Sequence, residues 1–310
     1  MELLPRYPLI FNPKARSQRG RKALKFIVDN VERFALYATR TPTEAEELAR
    51  TFAERGEEIV VAAGGDGTMN AIVRGLSNSQ TALGMLPTGT MNVFARELGI
   101  PFDQLGKSLK VIDEGLIEEV DLFYANGHPF LQMAGVGFDA QVIQKTSWES
   151  KKTFGALSYL FSAVKVLGEK PPQMTVRTDD GREYEGVCVL VGNGALYGGQ
   201  VRLFTKACNQ DGHMDVLIYN ESGYRIIIDS LKGVAMGDLD RYGKSVEYIQ
   251  AREITVSCDR PVPVEVDGDF SEEAETVTFR PGSQKLRVLG TGGRAESDVS
   301  SMLRGLVGKG

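Results

Sequence analysis

The chain has 310 residues, of which 42% are hydrophobic, and this length is enough to bury two cores. Its formal net charge of −5 argues against broad nucleic-acid binding, which is typical of strongly basic domains. The three cysteines are widely spaced and form no CxxC pair, and no basic-then-apolar leader or stretch of about 18 apolar residues is present. We therefore expect a cytoplasmic protein whose contact with membranes, if any, is peripheral.

The first 120 residues alternate strand-like and helix-like patterns, which is typical of a parallel α/β sheet. The predicted strands are 8–11, 34–39, 58–63 and 82–86, and the predicted helices are 19–31, 69–76 and one that opens at Thr41-Pro42. Glycine-rich turns follow the last two strands, at residues 64–68 and 87–90. We expect a Rossmann-like, three-layer nucleotide-binding domain over residues 1–120.

From about residue 118 the chain changes to short strands separated by glycine turns, a pattern typical of a β-sandwich-like domain. The predicted strands are 120–124, 130–134, 173–178, 187–192, 214–219, 254–257, 263–266 and 285–289. Two helices are predicted between them, at 153–167 and 224–236. We assign residues 121–290 to this all-β domain and expect residues 291–310 to be a flexible tail or a partner contact.

The glycine-rich turn at residues 64–68 suits phosphate binding, because glycine lets backbone N–H groups approach phosphate oxygens and a helix N-terminus follows. It is neither a Walker loop nor a GxGxxG motif, since Asn70 stands where the last glycine would be. A tight strand-to-helix connection would also explain the glycines. Asp66 between them suits a Mg²⁺-linked or proton-handling role.

A basic segment runs from Lys14 to Lys25 with no acidic residue. It could meet phosphate groups or an anionic lipid surface. A solvated helix start is an equal alternative, because runs of basic residues usually lie on exposed faces.

Seven motifs in order resemble the catalytic domain of the diacylglycerol kinase and sphingosine kinase superfamily, especially its bacterial soluble lipid kinases. They are Asn12-Pro13, GGDGT at 64–68, PTGTMNVFAR at 87–96, GVGFDA at 135–140, Asn193 with YGG at 197–199, DGHMD at 211–215 and VDGD at 266–269. The resemblance covers nearly the whole chain.

This resemblance implies an ATP-dependent lipid kinase with a nucleotide cleft between the two domains, where the lipid enters from the β side. The residues it places at the ATP site are Asn12, Pro13, Lys14, Ala15, Arg16, Thr41, Gly65, Asp66, Gly67, Thr68, Met69, Asn70, Ala71, Thr90 and Asn92. It implies a Mg²⁺ ion at Asp211 with the backbone of Cys208 and His213, and a general-base motif at Asp267 and Asp269.

These assignments suit phosphoryl transfer, which needs cradled phosphates, a metal cation and a proton acceptor. Asp-Gly at 267–268 and at 211–212 is also the commonest turn signal, so both motifs have a purely structural reading. Only His128 and His213 are present, and neither stands in a nucleophile-like setting.

Three positions depart from the superfamily: Ala71, where relatives often have glutamate, Val93, where they have aspartate, and Asp269, where glutamate is more usual. These departures keep open a catalytically impaired lipid-binding or regulatory protein. An NAD kinase, which shares the GGDGT turn, is the other alternative. The resemblance leaves the acceptor lipid open, and edge strands of the second domain would allow a homodimer.

Overall fold

A computed structural model of the chain describes residues 6–13, 18–137, 171–197, 199, 201–221 and 245–292. The predicted helices at 153–167 and 224–236, the tail beyond residue 292, and Lys14, Ala15 and Arg16 lie outside the described residues. None of the helices within the described ranges is both long and apolar enough to span a membrane.

The first domain is built on a six-stranded sheet in the order β2-β1-β3-β4-β18-β5. Its strands are β1 (Tyr7–Phe11), β2 (Phe34–Ala38), β3 (Ile59–Gly64), β4 (Ala82–Pro87), β5 (Ile117–Val120) and β18 (Leu286–Leu289). The first four strands pair in parallel, so the predicted parallel α/β sheet is confirmed.

Helices cover both faces of this sheet. They are α1 (Gln18–Asp29), α2 (Pro42–Glu54), α3 (Asp66–Leu76), α4 (Val93–Glu97) and α5 (Leu105–Glu114). Alternate residues of β1 face opposite layers, because Ile10 packs with α2 and α3 while Leu9 packs with α1 and α5. The three-layer prediction is therefore confirmed.

Thr41 caps α2, as predicted, since its hydroxyl accepts a hydrogen bond from Glu44 N at 3.2 Å.

The strand order places a topological switch point beside β1. The chain passes from β1 to its neighbour β2 on one side, and then crosses back to β3 on the other side. In open parallel sheets, ligands bind in the crevice that such a reversal leaves at the carboxyl ends of the strands. Asn12 follows β1 and Gly65 follows β3, so both predicted nucleotide-binding segments lie at this crevice.

The last strand returns to the first domain, which corrects the sequence prediction. Residues 285–289 were assigned to the second domain, but β18 pairs in parallel with β4 and antiparallel with β5. The reason is burial: Leu286 and Val288 pack into the core between the sheet and α2 and α3. The first domain thus comprises two segments of the chain. The predicted strand at 120–124 also divides between the two sheets.

The second domain is a ten-stranded, antiparallel sheet, as the predicted sandwich-like half requires. Its strands are β6 (Phe123–Ala125), β7 (His128–Phe130), β8 (Met133–Gly137), β9 (Met174–Thr178), β10 (Glu183–Gly186), β11 (Cys188–Gly192), β14 (Met214–Tyr219), β15 (Val246–Ala251), β16 (Ile254–Val266) and β17 (Asp269–Pro281). The strands predicted at 254–257 and 263–266 form the single strand β16, whose register with β17 is irregular between Ser257 and Val262. A separate two-stranded ribbon is formed by β12 (Leu196–Tyr197) and β13 (Val201–Arg202).

Candidate active site

The two glycine-rich turns lie against each other at the carboxyl ends of β3 and β4. Thr88 N donates to Gly64 O at 2.9 Å. A Cβ on Gly65 would lie 3.1 Å from the Cα of Gly89, and a Cβ on Gly89 would overlap the Cα of Gly65. Glycine is therefore required at position 89 and strongly favoured at position 65, because the two backbones touch. The turns form one surface rather than two independent loops.

The crevice beside this surface is lined by the end of β1, by α1 and by the second glycine-rich turn. Its lining residues include Phe11, Asn12, Pro13, Leu24, Ala63 and Thr88. Gly67 in the first turn of α3 is exposed, and a Cβ there would meet no atom within 4 Å. The N-terminal end of α3 thus borders open space, where its dipole favours an anion.

Asp66 fastens the two turns together. Its Oδ1 accepts a hydrogen bond from Val93 N at 2.6 Å, and its Oδ2 accepts one from Asn92 N at 2.9 Å. Burial raises the pKa of Asp66 above its ordinary value, although these backbone donors act in the opposite direction. The side chain therefore holds the start of α4 as well as carrying negative charge at the crevice.

Asn92 shapes the second turn. It adopts a left-handed backbone conformation with φ of 49°, which asparagine tolerates better than most residues. Its side chain closes a ring with Gly89, donating to Gly89 O at 3.0 Å and accepting from Gly89 N at 2.9 Å. The predicted contact of Asn92 with a nucleotide stays a prediction, because these hydrogen bonds give its amide a structural role.

Two predicted nucleotide contacts need correction. Met69 and Ala71 lie on the inner face of α3 and are buried in the core of the first domain, with Ala71 fully inaccessible. Their side chains cannot contact a nucleotide. A glutamate at position 71 would have to enter this apolar core, whereas alanine fits it. Asn70 is also buried.

Asp267 lies at the tip of the hairpin between β16 and β17. Both Asp267 and Gly268 have positive φ, 49° and 83°, as the central residues of a type I′ turn do. The Asp267 carboxylate accepts hydrogen bonds from three successive backbone N–H groups, those of Leu131 at 2.9 Å, Gln132 at 2.8 Å and Met133 at 3.2 Å. The Asp-Gly pair therefore forms the hairpin turn that its sequence predicts, and the turn also holds the Asp267 carboxylate in a fixed position.

The charge of Asp66 in the first domain affects the pKa of Asp267 in the second. Burial raises the pKa of Asp267 to about 6, and the negative charge of Asp66 contributes in the same direction. Within the described residues, neither carboxylate has a lysine or arginine ion-pair partner. Asp269, by contrast, is exposed at the start of β17, opposite Val266.

The predicted Mg²⁺ loop has internal partners for its polar groups. Cys208 O accepts from Asp211 N at 3.3 Å, and Asp211 Oδ1 accepts from His213 N at 2.9 Å. Across the described ranges no group of three or more His, Cys, Asp or Glu side chains is arranged to hold a metal ion. The predicted Mg²⁺ site uses only one side chain, Asp211, together with the backbone of Cys208 and His213, so this finding leaves it a prediction.

A lysine supplies positive charge at the same loop. Lys285 Nζ lies 2.8 Å from Asp121 Oδ1 and donates to Gln210 O at 2.8 Å. Asp121 is only 5% exposed, and its second oxygen accepts from Gly212 N at 2.7 Å. The sequence prediction missed both Lys285 and Asp121, because they stand 164 positions apart and outside the matching motifs.

The remaining residues that the sequence predicts at the site lie in different parts of the fold. Thr41 ends the segment after β2, where it caps α2, and Thr68 is the third residue of α3, with its N–H bonded to Gly65 O at 3.0 Å. Thr90 lies in the second glycine-rich turn.

Asn193 is fully buried and donates to Asp121 O at 2.7 Å and to Leu131 O at 2.8 Å, so its side chain amide bonds the domain junction and not a ligand. The motifs at 135–140 and 197–199 are described only in part.

Comparisons with known proteins agree with this architecture. The model of the diacylglycerol kinase catalytic domain matches residues 6–125, and that of the YegS C-terminal NAD kinase beta sandwich-like domain matches residues 132–290. The diacylglycerol kinase of Bacillus subtilis (strain 168) is 26% identical over 279 residues, covering 86% of this chain and 90% of that protein. A protein of Chromohalobacter salexigens named probable lipid kinase YegS-like is 31% identical over 272 residues, covering 84% and 86%.

Solved structures share the fold. A diacylglycerol kinase crystal structure from Bacillus anthracis str. Sterne superposes with a TM-score of 0.69 at 20% identity, covering 94% of this chain and 99% of that one. An NAD kinase from Archaeoglobus fulgidus in complex with ATP superposes with a TM-score of 0.53 at 13% identity, covering 96% and 98%. These structures show the fold, while the two family models and the 31% identical Chromohalobacter protein show that the chain belongs to the family of diacylglycerol kinases and YegS-like lipid kinases.

Proposed function

We propose that the protein transfers the γ-phosphoryl group of ATP to a hydroxyl group of a lipid such as diacylglycerol. The observation that carries this proposal is the junction itself, where a glycine-built surface at the switch point of one domain faces a charged hairpin tip of the other. Asp66 marks the first side and Asp267 the second. Phosphoryl transfer needs these two sides, one for the nucleotide and one for the attacking hydroxyl.

ATP is proposed to bind with its phosphates at the N-terminal end of α3. The open space beside Gly67 and the helix dipole favour phosphate there. Asn12 and Thr88 line the adjacent crevice and offer polar groups to the rest of the nucleotide. Thr41 and Thr90 stand at the ends of the neighbouring connections and are proposed as further contacts.

The hairpin tip is proposed to lie beside the acceptor hydroxyl and to accept its proton. Its two carboxylates have different roles. Three backbone donors occupy Asp267, so this residue suits an anchoring role. Asp269 is exposed and is proposed as the proton acceptor: the lipid oxygen bonds to the γ-phosphorus, the bond to ADP breaks, and the hydroxyl proton passes to Asp269. Phe270 beside it is 45% exposed and offers apolar surface to a lipid.

Mg²⁺ is proposed to arrive with ATP. The residues at the junction fit a divalent cation, because Asp66 and Asp267 bring two negative charges together without a basic partner among the described residues. Asp66 would hold the ion on the nucleotide side. When bound, the ion neutralises phosphate charge, which is its usual part in phosphoryl transfer.

Peripheral contact with an anionic membrane is proposed at α1. Leu24 and Val28 are 43% and 56% exposed on this helix, and the exposed cations Arg21, Lys22 and Lys25 lie among them. Apolar side chains beside cations suit the interface of an anionic bilayer. A homodimer through the edge strands β7 or β15 is a further proposal, which sedimentation velocity would test.

The function is tested by incubating the protein with Mg²⁺, [γ-³²P]ATP and a panel of extracted lipids, and in parallel with NAD. Label in a lipid is the expected result. Label in NAD would support an NAD kinase, and no label in either would support the impaired regulatory protein. Asp269→Asn should abolish lipid labelling, while the matched control Asp259→Asn, at an exposed position elsewhere on β16, should retain it.

A further inference from the structure

The short helix α4 runs from the Asp66 turn to Glu97. Asp66 holds the start of α4 through Asn92 N and Val93 N, and the helix ends at Glu97. Five helical residues span roughly 7.5 Å. The orientation of α4 therefore depends on Asp66 at one end and on the contacts of Glu97 at the other.

Glu97 reaches the second domain. Its Oε2 accepts hydrogen bonds from Gln132 Nε2 at 2.9 Å and from Leu196 N at 3.0 Å, and Gln132 Nε2 also donates to Leu196 O at 3.1 Å. Both partners of the Gln132 amide are oxygen atoms, so only its nitrogen can face them. The three residues form a closed ring of hydrogen bonds across the domain junction.

Gln132 also connects this ring of hydrogen bonds to the hairpin tip. Its side chain is buried and lies over Gly194, where a Cβ would overlap the amide group. Its backbone carbonyl accepts from Asn193 N at 2.9 Å, and its backbone N–H donates to Asp267 Oδ1 at 2.8 Å. One residue thus holds both the ring and the carboxylate of Asp267.

We infer that Glu97 is a positioning residue that fixes the Asp267 hairpin relative to the Asp66 turn. It does so through α4 on one side and through Gln132 on the other, without touching the reacting atoms. The consequence for catalysis rests on the proposed function. Misplacing reacting groups by about 1 Å can cost roughly 100-fold in rate, so a link of this kind matters.

Hydrogen exchange tests the link without any assay of activity. In Glu97→Ala, the amide of Leu196 loses its partner, and the amides of residues 131–133 that hold Asp267 should exchange about 10-fold faster. The control Glu114→Gln, at the exposed end of α5, should leave both segments unchanged. Faster exchange at Leu196 alone, with residues 131–133 unchanged, would overturn the inference.

Kinetics test the consequence. Glu97→Ala should lower kcat by about 10- to 100-fold while KM for ATP changes less than about threefold, because the Asp66 turn keeps its own hydrogen bonds. Glu97→Gln keeps one acceptor oxygen and should fall between the wild type and Glu97→Ala. A kcat within twofold of the wild type in Glu97→Ala would contradict the inference. If the wild type labels no lipid, the proposed function fails, but hydrogen exchange still decides the role of Glu97.

Discussion

Asp66 and Asp267 belong to different domains, yet the charge of Asp66 helps to raise the pKa of Asp267, which burial brings to about 6. Two like charges are brought together only if something opposes their repulsion. Backbone N–H groups do so here, because each carboxylate accepts at least two of them. Backbone hydrogen bonds thus stabilise both carboxylates at the junction, where Mg²⁺ and ATP are proposed to bind.

Substitutions at Gly67 and Gly89 separate the proposed phosphate-binding role of the turns from their structural role. Gly89→Ala should destabilise the protein by about 1–3 kcal/mol, because its Cβ would overlap Gly65. Gly67→Ala should leave the free energy of unfolding unchanged or raise it by up to about 1 kcal/mol, since the residue is helical and exposed.

ATP titration completes this comparison. Gly67→Ala should weaken ATP binding at least about 10-fold, because its methyl group enters the space proposed for a phosphate. Denaturant unfolding and isothermal titration calorimetry on the two variants provide both measurements. Unchanged ATP affinity in a folded Gly67→Ala protein would refute phosphate binding at this turn.

Lys285 should order the loop at residues 208–213 without a divalent metal. Lys285→Met leaves the buried carboxylate of Asp121 without its cation, and we expect a loss of about 1–3 kcal/mol, reduced from the value for a buried pair because Lys285 is partly exposed. Lys110→Met, which removes an exposed ion pair with Glu114, serves as the control and should cost less than about 0.5 kcal/mol.

Chelation gives the second arm of this test. The melting temperature of the nucleotide-free protein should be the same in EDTA and in Mg²⁺, because Lys285 already bonds Asp121 and Gln210 O. A saturable stabilisation by Mg²⁺ that Asp211→Asn abolishes would instead support the metal site implied by the sequence resemblance.

Asp215 should make stability depend on pH. It is fully buried, bonded to the hydroxyl of Tyr248, and burial raises its pKa to about 6. The ordinary pKa of an unfolded aspartate is about 3.9, so the stabilising effect of the protonated form is complete below about pH 4 and is lost as pH rises through 6.

Replacing this carboxylate isolates its effect. Asp215→Asn should gain up to about 3 kcal/mol relative to the wild type between pH 4 and pH 7, as measured by urea unfolding. Asp103→Asn, at an exposed position, should show no such gain. An equal difference between Asp215→Asn and the wild type at both pH values would show that the side chain is ionised to the same extent in the folded and unfolded states.

Features of the fold that depend on local sequence patterns were predicted correctly from the sequence. Alternating strands and helices gave the parallel sheet, and Thr41 with Glu44 marked the start of α2. Its errors concern long-range pairing: nothing local to residues 285–289 shows that they pair with Leu83 and Val120 in the first sheet. The core position of Ala71 was also missed, because a residue next to a nucleotide-binding turn was read by motif and not by helix face.

The candidate residues Asp66 and Asp267 could be proposed from the sequence, because they stand in dense motifs of glycine and aspartate. Contacts between single side chains across the junction could not be predicted. Glu97, Gln132 and Leu196 stand far apart in the chain and only the folded domains bring them together. The one feature of the sequence that points to Glu97 is its position, because it directly follows the motif at residues 87–96.

Phosphate transfer to a lipid, compared between the wild type and a change at the hairpin tip, distinguishes a lipid kinase from a protein that keeps only the fold. With Mg²⁺ and [γ-³²P]ATP, the wild-type protein should label a lipid from the extracted panel, and Asp269→Asn should lower the initial rate at least about 100-fold at unchanged melting temperature. Labelling by Asp269→Asn at the wild-type rate would contradict its role as proton acceptor. Absence of label in every lipid with the wild-type protein would contradict the proposed kinase.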